Sequence, residues 1–205
     1  TDDKGKLFSM GAVPGKTYVV IWTTTTWTLP ANVAICLGPN FDYALLKANR
    51  EGETEYYVVA KELAANVMQE AGIEEYEIIG TVKGSELEYV ECAHPFLDRK
   101  SILILGDHVT LDSGTGCVHT APGHGMDDFM VVTQRYPEIP FTVPVDSEGR
   151  MTEEAGFSAG LTTDEASKVI AKHIHESGHL LATKKLRHQY PHCWRCKEPI
   201  LFRAT

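Results

Sequence analysis

Short apolar runs alternate with turn-forming residues along the first half of the chain. The run Thr17–Trp22 is rich in β-branched and aromatic residues and predicts a buried strand. Turn signals such as Gly38-Pro39-Asn40 separate it from the later runs, so we expect a sheet that curls strongly or closes on itself. The further predicted strands are Val33–Leu37, Tyr43–Lys47, Tyr56–Val59, Glu77–Val82, Leu87–Glu91 and Ile102–Leu105.

Three segments show helical periodicity instead. Lys61–Ala71 spaces its apolar residues three to four apart and is followed by glycine. Thr162–Ser177 opens with a capping box formed by Thr162 and Glu165. A third helix is predicted from near Met126 to about Tyr136. Together these patterns predict one mixed α/β domain over residues 1–205, centred on a β-barrel and decorated by about three helices.

Composition and charge are those of a globular protein. Apolar residues make up 43% and charged residues 23%, and no apolar run approaches the ~20 residues that cross a bilayer. Five cysteines without regular spacing are typical of a reducing compartment. We therefore expect a cytoplasmic monomer with no membrane partner. The net charge of −9 disfavours broad nucleic-acid binding, and Lys184-Lys185-Leu186-Arg187-His188 is the only dense basic stretch.

The first stretch with candidate chemistry is Trp22–Asn32, with the sequence WTTTTWTLPAN. Two interpretations stay open from composition alone. In a regular strand the threonines would alternate between two faces. An irregular backbone would instead bring several hydroxyls and an indole wall to one pocket, which suits a small ligand.

The second stretch is Gly114–Phe129, with the sequence GTGCVHTAPGHGMDDF. It predicts a short strand Cys117–Thr120, a tight turn and a helix start. Because consecutive helical residues point about 100° apart, one of the two carboxylates after the turn can complement the helix dipole while the other faces a site. The two histidines are not spaced as zinc ligands on a helix.

The third stretch is His192-Cys193-Trp194-Arg195-Cys196. A CxxC pair supplies half of a four-ligand zinc site, and its other half would be His188 with His192 or would lie outside these 205 residues. A redox role is unsupported because no thioredoxin-like βαβ context is evident. Serine-hydrolase and nucleotide-phosphate motifs are absent from the sequence.

These three stretches, in this order, closely resemble the editing insertion of the isoleucyl-tRNA synthetases. The resemblance extends over essentially the whole chain, and the first two motifs separate this family from its leucine and valine relatives. It implies that residues 1–205 are an editing domain excised from a larger synthetase, with residues 187–205 returning toward the parent catalytic domain. The family usually has proline where this chain has Thr26.

The resemblance also implies roles for particular residues. Asp128 matches the carboxylate that holds the substrate ammonium, and His119 matches the pocket histidine. Together with these two, the implied catalytic residues are Thr23, Thr24 and Thr25. The implied substrate-binding residues are Trp22, Trp27, Thr28, Asn32 and His124.

The implied activity is hydrolysis of valine wrongly attached to tRNA(Ile), or of valyl-adenylate. Isoleucine and valine differ by one methylene, worth only ~1–3 kcal/mol in an apolar pocket, so a second hydrolytic pocket must supply the missing selectivity. The expected partners are the 3′ end of aminoacylated tRNA(Ile), valine or valyl-adenylate, and the rest of the synthetase. No cofactor is expected for editing, and the resemblance implies a structural zinc only in the full-length parent, with Cys193 and Cys196 as a candidate half of its site. The alternatives are a non-catalytic tRNA-docking or structural module, and a free-standing trans-editing deacylase.

Overall fold

The computed structural model describes residues 5–184 and 190–204, and within them the chain forms two four-stranded sheets with helices around them. The α-helices are α1 Lys6–Ser9, α2 Ala64–Glu70, α3 Met126–Arg135 and α4 Thr163–Glu176. The strands are β1 Thr17–Val19, β2 Ala34–Leu37, β3 Asp42–Arg50, β4 Glu53–Ala60, β5 Tyr76–Lys83, β6 Glu91–Ala93, β7 Lys100–Leu105 and β8 Cys117–Thr120. Short 3₁₀ helices cover Thr26–Ala31, Lys61–Leu63, Gly84–Glu86 and Glu153–Ser158.

The first sheet has the strand order β1-β4-β3-β5, and its centre is the antiparallel hairpin of β3 and β4. The two residues that join these strands, Glu51 and Gly52, both have positive φ angles of 52° and 88°. This is the turn geometry that matches the right-handed twist of a two-residue hairpin. The hairpin contributes Leu45, Leu46 and Val58 to the largest apolar core, where all three are fully buried.

The second sheet has the order β6-β7-β2-β8, with β2 parallel to β7 and antiparallel to β8. All four residues of β2 are buried because both faces of the strand are covered. Ile35 and Leu37 pack into the core shared with the first sheet, whereas Ala34 and Cys36 pack into a second cluster with residues of α3. Sheet two therefore separates the main core from α3.

The prediction of a closed or strongly curled barrel sheet is wrong, although the mixed α/β class is right. In the described residues the strands form two open sheets, linked where the Trp22 backbone bridges to Val118 and where Ala60 N–H donates to Thr115 C=O at 2.8 Å. Strand β1 pairs with β4 over only three residues and ends at Val19, three residues before the predicted end. The Thr-rich stretch that follows leaves the first sheet instead of extending it.

The helix predictions are confirmed, and one strand prediction is not. The capping box predicted at α4 is present, with Glu165 N–H donating to the Thr162 hydroxyl at 3.4 Å and Thr162 N–H donating to the Glu165 carboxylate at 2.9 Å. The run Leu87–Glu91 is not a strand, because Tyr89 has a φ of +64° and strand β6 begins only at Glu91. Leu87 is fully buried in the core, so its apolar side chain reflects burial and does not indicate a strand.

A third apolar cluster positions the functional site. The buried face of α4, including Ile170 and Ile174, packs on the 3₁₀ helix Thr26–Ala31 through Trp27 and Leu29. Over residues 5–184 and 190–204, none of the helices is both long enough and apolar enough to pass through a membrane.

The hydroxyl of Tyr43 joins the two sheets. It donates to Gly116 C=O at 2.6 Å and accepts from Gly38 N–H at 2.9 Å. Replacing Tyr43 with Phe leaves both backbone groups buried without a partner, so we expect the free energy of unfolding to fall by about 1–3 kcal/mol. Urea unfolding followed by circular dichroism measures this change. Tyr56→Phe, at a half-buried tyrosine of the neighbouring strand, should stay within about 0.5 kcal/mol of wild type. Equal effects of the two substitutions would contradict the assigned role.

Candidate active site

The Thr-rich stretch folds as an irregular turn that enters a 3₁₀ helix, so the regular-strand interpretation is wrong. The Thr23 hydroxyl accepts a hydrogen bond from Thr25 N–H at 3.0 Å, which turns the chain back on itself. The 3₁₀ helix Thr26–Ala31 then begins, and Thr28 N–H donates to Thr25 C=O at 3.3 Å. Trp27 and Thr28 become buried, whereas Trp22 and Thr24 stay exposed.

His119 is the residue that ties this peptide to the second sheet. Strand β8 carries it opposite Ile35 of β2, and only 8% of its surface is exposed. Its Nε2 atom lies 3.0 Å from the Thr28 hydroxyl, and its Nδ1 atom lies 2.8 Å from the Asn32 side-chain nitrogen. The structure thus brings three of the predicted site residues into one buried hydrogen-bonded cluster.

The direction of each hydrogen bond in this cluster follows from Asn32. Its side-chain nitrogen also lies 3.0 Å from Ala34 C=O, so that nitrogen must be the NH₂ group and must donate to both neighbours. His119 Nδ1 is then an acceptor, and the ring proton sits on Nε2. The Nε2–H group donates to the Thr28 hydroxyl, which in turn donates to Thr25 C=O at 2.8 Å. The cluster has one consistent arrangement of protons.

Burial also sets the charge of His119. Desolvation, reinforced by the nearby His94 and His124, lowers the pKa of His119 to about 3. The imidazole is therefore neutral at physiological pH. Since Nδ1 accepts from Asn32 and Nε2 carries the proton, neither nitrogen is available to take a proton from water. In this state His119 can hold its neighbours rigidly in place, but it cannot act as a general base.

Asp128 lies in the first turn of α3, half-buried, next to the exposed Asp127. One of its carboxylate oxygens accepts from Ala121 N–H at 2.9 Å, two residues beyond His119. Desolvation by burial raises the pKa of Asp128, and the Ala121 bond opposes this rise. The eight ion pairs found in the described residues all involve other carboxylates. Asp128 therefore has no salt-bridge partner among the described residues, although the nearby His108 also lowers its pKa.

His124 lies in the turn between His119 and Asp128 and contacts both Trp27 and the C-terminal segment. Its ring meets the Trp27 ring edge-on, with centroids 4.9 Å apart. Its Nδ1–H group donates to Phe202 C=O at 2.8 Å, and Ala204 N–H donates to Gly123 C=O at 2.8 Å. Burial lowers the pKa of His124. These contacts hold the turn in place from outside the Thr-rich peptide.

A cavity of about 700 Å³ opens beside the Thr-rich peptide, within the range of small-molecule sites. Its hydroxyl-rich wall includes Thr23, Thr24 and Thr26, and Trp22 and Asn32 also line it. Its apolar lining includes Val20 and Ile21 after β1 and Ala171 and Ile174 of α4, and Arg50 and Glu70 are among the charged residues that line it. The other predicted site residues do not line this cavity: Thr25, Trp27, Thr28, His119, His124 and Asp128. Asn32 therefore connects the cavity wall to the buried His119 cluster, whereas His124 and Asp128 lie in the turn and helix that follow His119.

One participant was not predicted from the sequence. His94 is buried beside the cavity, donates from Nε2 to Leu29 C=O at 2.9 Å, and accepts at Nδ1 from Phe96 and Leu97 N–H groups at 3.3 and 3.1 Å. Burial lowers its pKa to about 4. It holds the 3₁₀ helix of the Thr-rich peptide as a second neutral imidazole. A single histidine after a predicted strand carries no signal of this role.

The CxxC pair lies in a turn near the C-terminus, ahead of the segment that contacts His124. Backbone hydrogen bonds from Cys196 and Arg195 lower the pKa of Cys193. Within the described ranges, no three His, Cys, Asp or Glu side chains are grouped so that they could hold a metal ion. The zinc half-site at Cys193 and Cys196 stays a prediction, and His188 lies outside the described residues together with most of the basic stretch.

Comparison with solved structures defines the class of fold. The domain GlLeuRS-CP1 superposes with a TM-score of 0.70 at 14% identity, covering 89% of this chain and 90% of that one. The editing domain of the P. knowlesi cytosolic leucyl-tRNA synthetase gives a TM-score of 0.61 at 9% identity, covering 80% and 82%. The chain has the fold of a synthetase CP1 editing domain.

Sequence comparison names the particular synthetase. No protein-family model matches the chain. Isoleucine–tRNA ligase of Caldicellulosiruptor bescii is 56% identical over 204 residues, which is 100% of this chain and 22% of that protein. The Petrotoga mobilis ligase is 54% identical over 189 residues, covering 92% and 20%. The chain thus corresponds to a region of isoleucine–tRNA ligase and spans about a fifth of the length of these relatives.

The locked state of His119 makes folding stability depend on pH. An unfolded histidine binds its proton near pH 6.5, but folded His119 binds one only near pH 3, so the unfolded state binds more protons between these values. Stability should therefore fall as the pH drops below about 6.5. His119→Gln should lower the number of protons taken up on unfolding by about one. The slope of the free energy of unfolding against pH should then fall by ~1.4 kcal/mol per pH unit.

Urea unfolding between pH 7 and 4.5 measures that slope. His175→Gln, at an exposed histidine of α4, is the matched control and should keep the wild-type slope. An unchanged slope in His119→Gln would show that His119 is not held neutral.

Proposed function

We propose that this domain hydrolyses the ester bond of valine wrongly attached to tRNA(Ile), as the editing site of an isoleucine–tRNA ligase. The 56% identity to such a ligase and the CP1 editing-domain fold support this function. The observation that carries it is the His119 cluster, because it fixes a neutral imidazole and a hydroxyl-rich peptide against each other.

Selection of valine over isoleucine requires a rigid pocket wall. A pocket that merely prefers one apolar side chain gains only ~1–3 kcal/mol per methylene. A rigid wall instead excludes the larger side chain by collision. His119 does not line the cavity, but it holds Asn32, which does, and the hydrogen bonds at both ring nitrogens prevent the imidazole from turning aside, so this part of the cavity wall is rigid. Trp27 belongs to the same peptide and is buried in the apolar cluster with α4, which anchors the peptide.

Asp128 is assigned to the substrate ammonium. Every aminoacyl ester carries a free α-ammonium group, and a half-buried carboxylate without a cationic partner gains most from pairing with one. Desolvation by burial raises the pKa of Asp128, and a bound ammonium would lower it again. Its bond to Ala121 ties it to the end of the strand that carries His119.

The chemical step is attack by water without a covalent enzyme intermediate. The water oxygen adds to the ester carbonyl carbon, the bond to the ribose oxygen breaks, and the proton of the water passes to that ribose oxygen. Neither His119 nor Thr28 takes the proton, because His119 Nδ1 accepts from Asn32 and the Thr28 hydroxyl accepts from His119 Nε2–H. Thr23, Thr24 and Thr25 position the water and the terminal ribose, and the adjacent ribose hydroxyl assists the transfer.

Asp128→Asn tests this assignment. The substitution keeps the shape of the side chain and removes the charge, so loss of the ammonium contact should slow release of valine from Val-tRNA(Ile) by about 30-fold or more. Asp127→Asn, at the exposed neighbour on the same helical turn, is the control and should stay close to wild type.

The assay follows loss of amino acid from Val-tRNA(Ile) and from Ile-tRNA(Ile), and wild type should deacylate only the first. Equal rates for Asp128→Asn and wild type on Val-tRNA(Ile) would refute the role of Asp128. Loss of neither amino acid with wild type would favour a non-catalytic tRNA-docking module.

A further inference from the structure

The loop that joins β6 to β7, residues 94–99, contacts the Thr-rich peptide, and the proposed hydrolysis assigns it no role. We name it the β6–β7 loop. His94 N–H donates to Arg99 C=O at 3.0 Å, and Arg99 N–H donates to Leu97 C=O at 2.8 Å, so backbone hydrogen bonds close the loop at its base. Its first and last residues, His94 and Arg99, are therefore hydrogen-bonded neighbours.

The side chains of these two residues donate to carbonyls in the last turn of the 3₁₀ helix Thr26–Ala31. His94 Nε2–H donates to Leu29 C=O at 2.9 Å, and the Arg99 guanidinium donates to Pro30 C=O. Carbonyls at the end of a helix lack partners within it, and Arg or His side chains can supply the missing donors. The β6–β7 loop therefore caps the helix into which the Thr-rich peptide folds.

The β6–β7 loop is itself anchored to the rest of the domain. The ring of Phe96 lies 5.3 Å from the ring of Phe157 and 5.9 Å from that of His173 in α4, measured between centroids. Leu97 packs against Gly156, where an added Cβ atom would lie 3.2 Å from Leu97 Cδ2. The loop can therefore serve as a fixed support for the helix that it caps.

The capping contact of Arg99 is made at a cost in stability. The side chain is half-buried, and desolvation lowers the pKa of Arg99, with the nearby Glu154 opposing this shift. Its Nε atom is buried and has no hydrogen-bond partner in the described part of the chain. A buried donor without a partner destabilises the folded state. Natural proteins break such local rules mainly at functional sites, which points to a role for Arg99 beyond folding.

Two parts of the chain hold the same short stretch of the Thr-rich peptide. His119 of β8 contacts the side chains of Thr28 and Asn32. The β6–β7 loop contacts the carbonyls of Leu29 and Pro30, which lie between those two residues in the sequence. Side chains and backbone of this stretch are therefore fixed by separate groups.

We infer that Arg99, assisted by His94, is a positioning residue of the hydrolytic site. By holding Pro30 C=O, Arg99 fixes the path of the peptide whose threonines place the water and the terminal ribose. The same contact keeps Asn32, two residues further along, at its place in the cavity wall. The inference rests on the proposed function, because it assigns a role within that site.

The kinetic test uses Arg99→Met, which removes the charge and the donors but keeps an unbranched side chain. For release of valine from Val-tRNA(Ile), kcat should fall about tenfold while KM stays within about twofold of wild type, because the peptide acts on the reacting groups. The ratio of release from Val-tRNA(Ile) to release from Ile-tRNA(Ile) should fall as well. Arg99→Lys keeps a cation with donors and should restore most of kcat. Lys100→Met is the matched control, since this exposed lysine pairs with Glu91, and it should behave as wild type.

Amide hydrogen exchange, measured by NMR without tRNA, tests the contact independently of activity. Asn32 N–H donates to Leu29 C=O at 3.0 Å and reports on the end of the capped helix. In Arg99→Met its exchange should become about tenfold faster, because the helix end opens locally. The amide of Leu46, in the core of the first sheet, should exchange as in wild type.

Wild-type kcat in Arg99→Met overturns the inference whatever the exchange shows. Equal acceleration at Asn32 and Leu46 overturns it too, because the substitution would then only lower global stability. Failure of Arg99→Lys to recover kcat has the same consequence. If wild type releases no valine, the hydrolytic proposal fails instead, and the exchange of Asn32 N–H still decides whether Arg99 holds the peptide.

Discussion

The hydrogen bonds at the two ring nitrogens of His119 are the constraint on which the rest of the site depends. They join the Thr-rich peptide, which leaves the first sheet, to strand β8 of the second sheet. Because Asn32 must donate to Ala34 C=O as well, the proton on His119 has only one position. The same bonds that hold Asn32 in the cavity wall therefore remove the imidazole of His119 from proton transfer. Specificity and catalysis are assigned to different groups for this reason.

Local sequence patterns predicted the bounds of those helices and strands whose ends are set by neighbouring residues. The capping box at Thr162 and the periodicity of Thr162–Ser177 located α4 to within one residue at each end. The prediction of a closed β-sheet failed because sheet closure depends on pairing between distant segments. Nothing near Thr17–Trp22 indicates that β1 pairs with β4 in parallel over only three residues. The run Leu87–Glu91 failed for a different reason, since burial in the core makes a segment apolar in any backbone conformation.

The site shows the same division between local and distant information. The sequence predicted that one of two adjacent carboxylates would complement the helix while the other faced a site. Helical geometry turns Asp127 to solvent and Asp128 toward Ala121 N–H, but Asp128 does not line the cavity. The resemblance to the isoleucyl-tRNA synthetases named His119 and Asn32, but their mutual contact joins positions 87 residues apart and has no local pattern. His94 was missed because its role lies entirely in its contact with Leu29.

The protonation state of His119 can be observed directly by ¹⁵N NMR of the imidazole nitrogens in the 205-residue chain. The account predicts a protonated Nε2 and an unprotonated Nδ1 that stay unchanged from pH 7 to 4.5, since the pKa lies near 3. In Asn32→Ala, where the bond that fixes the ring proton is lost, the signals should change. A doubly protonated ring appearing near pH 6, or a proton on Nδ1 in the wild type at neutral pH, would contradict the account.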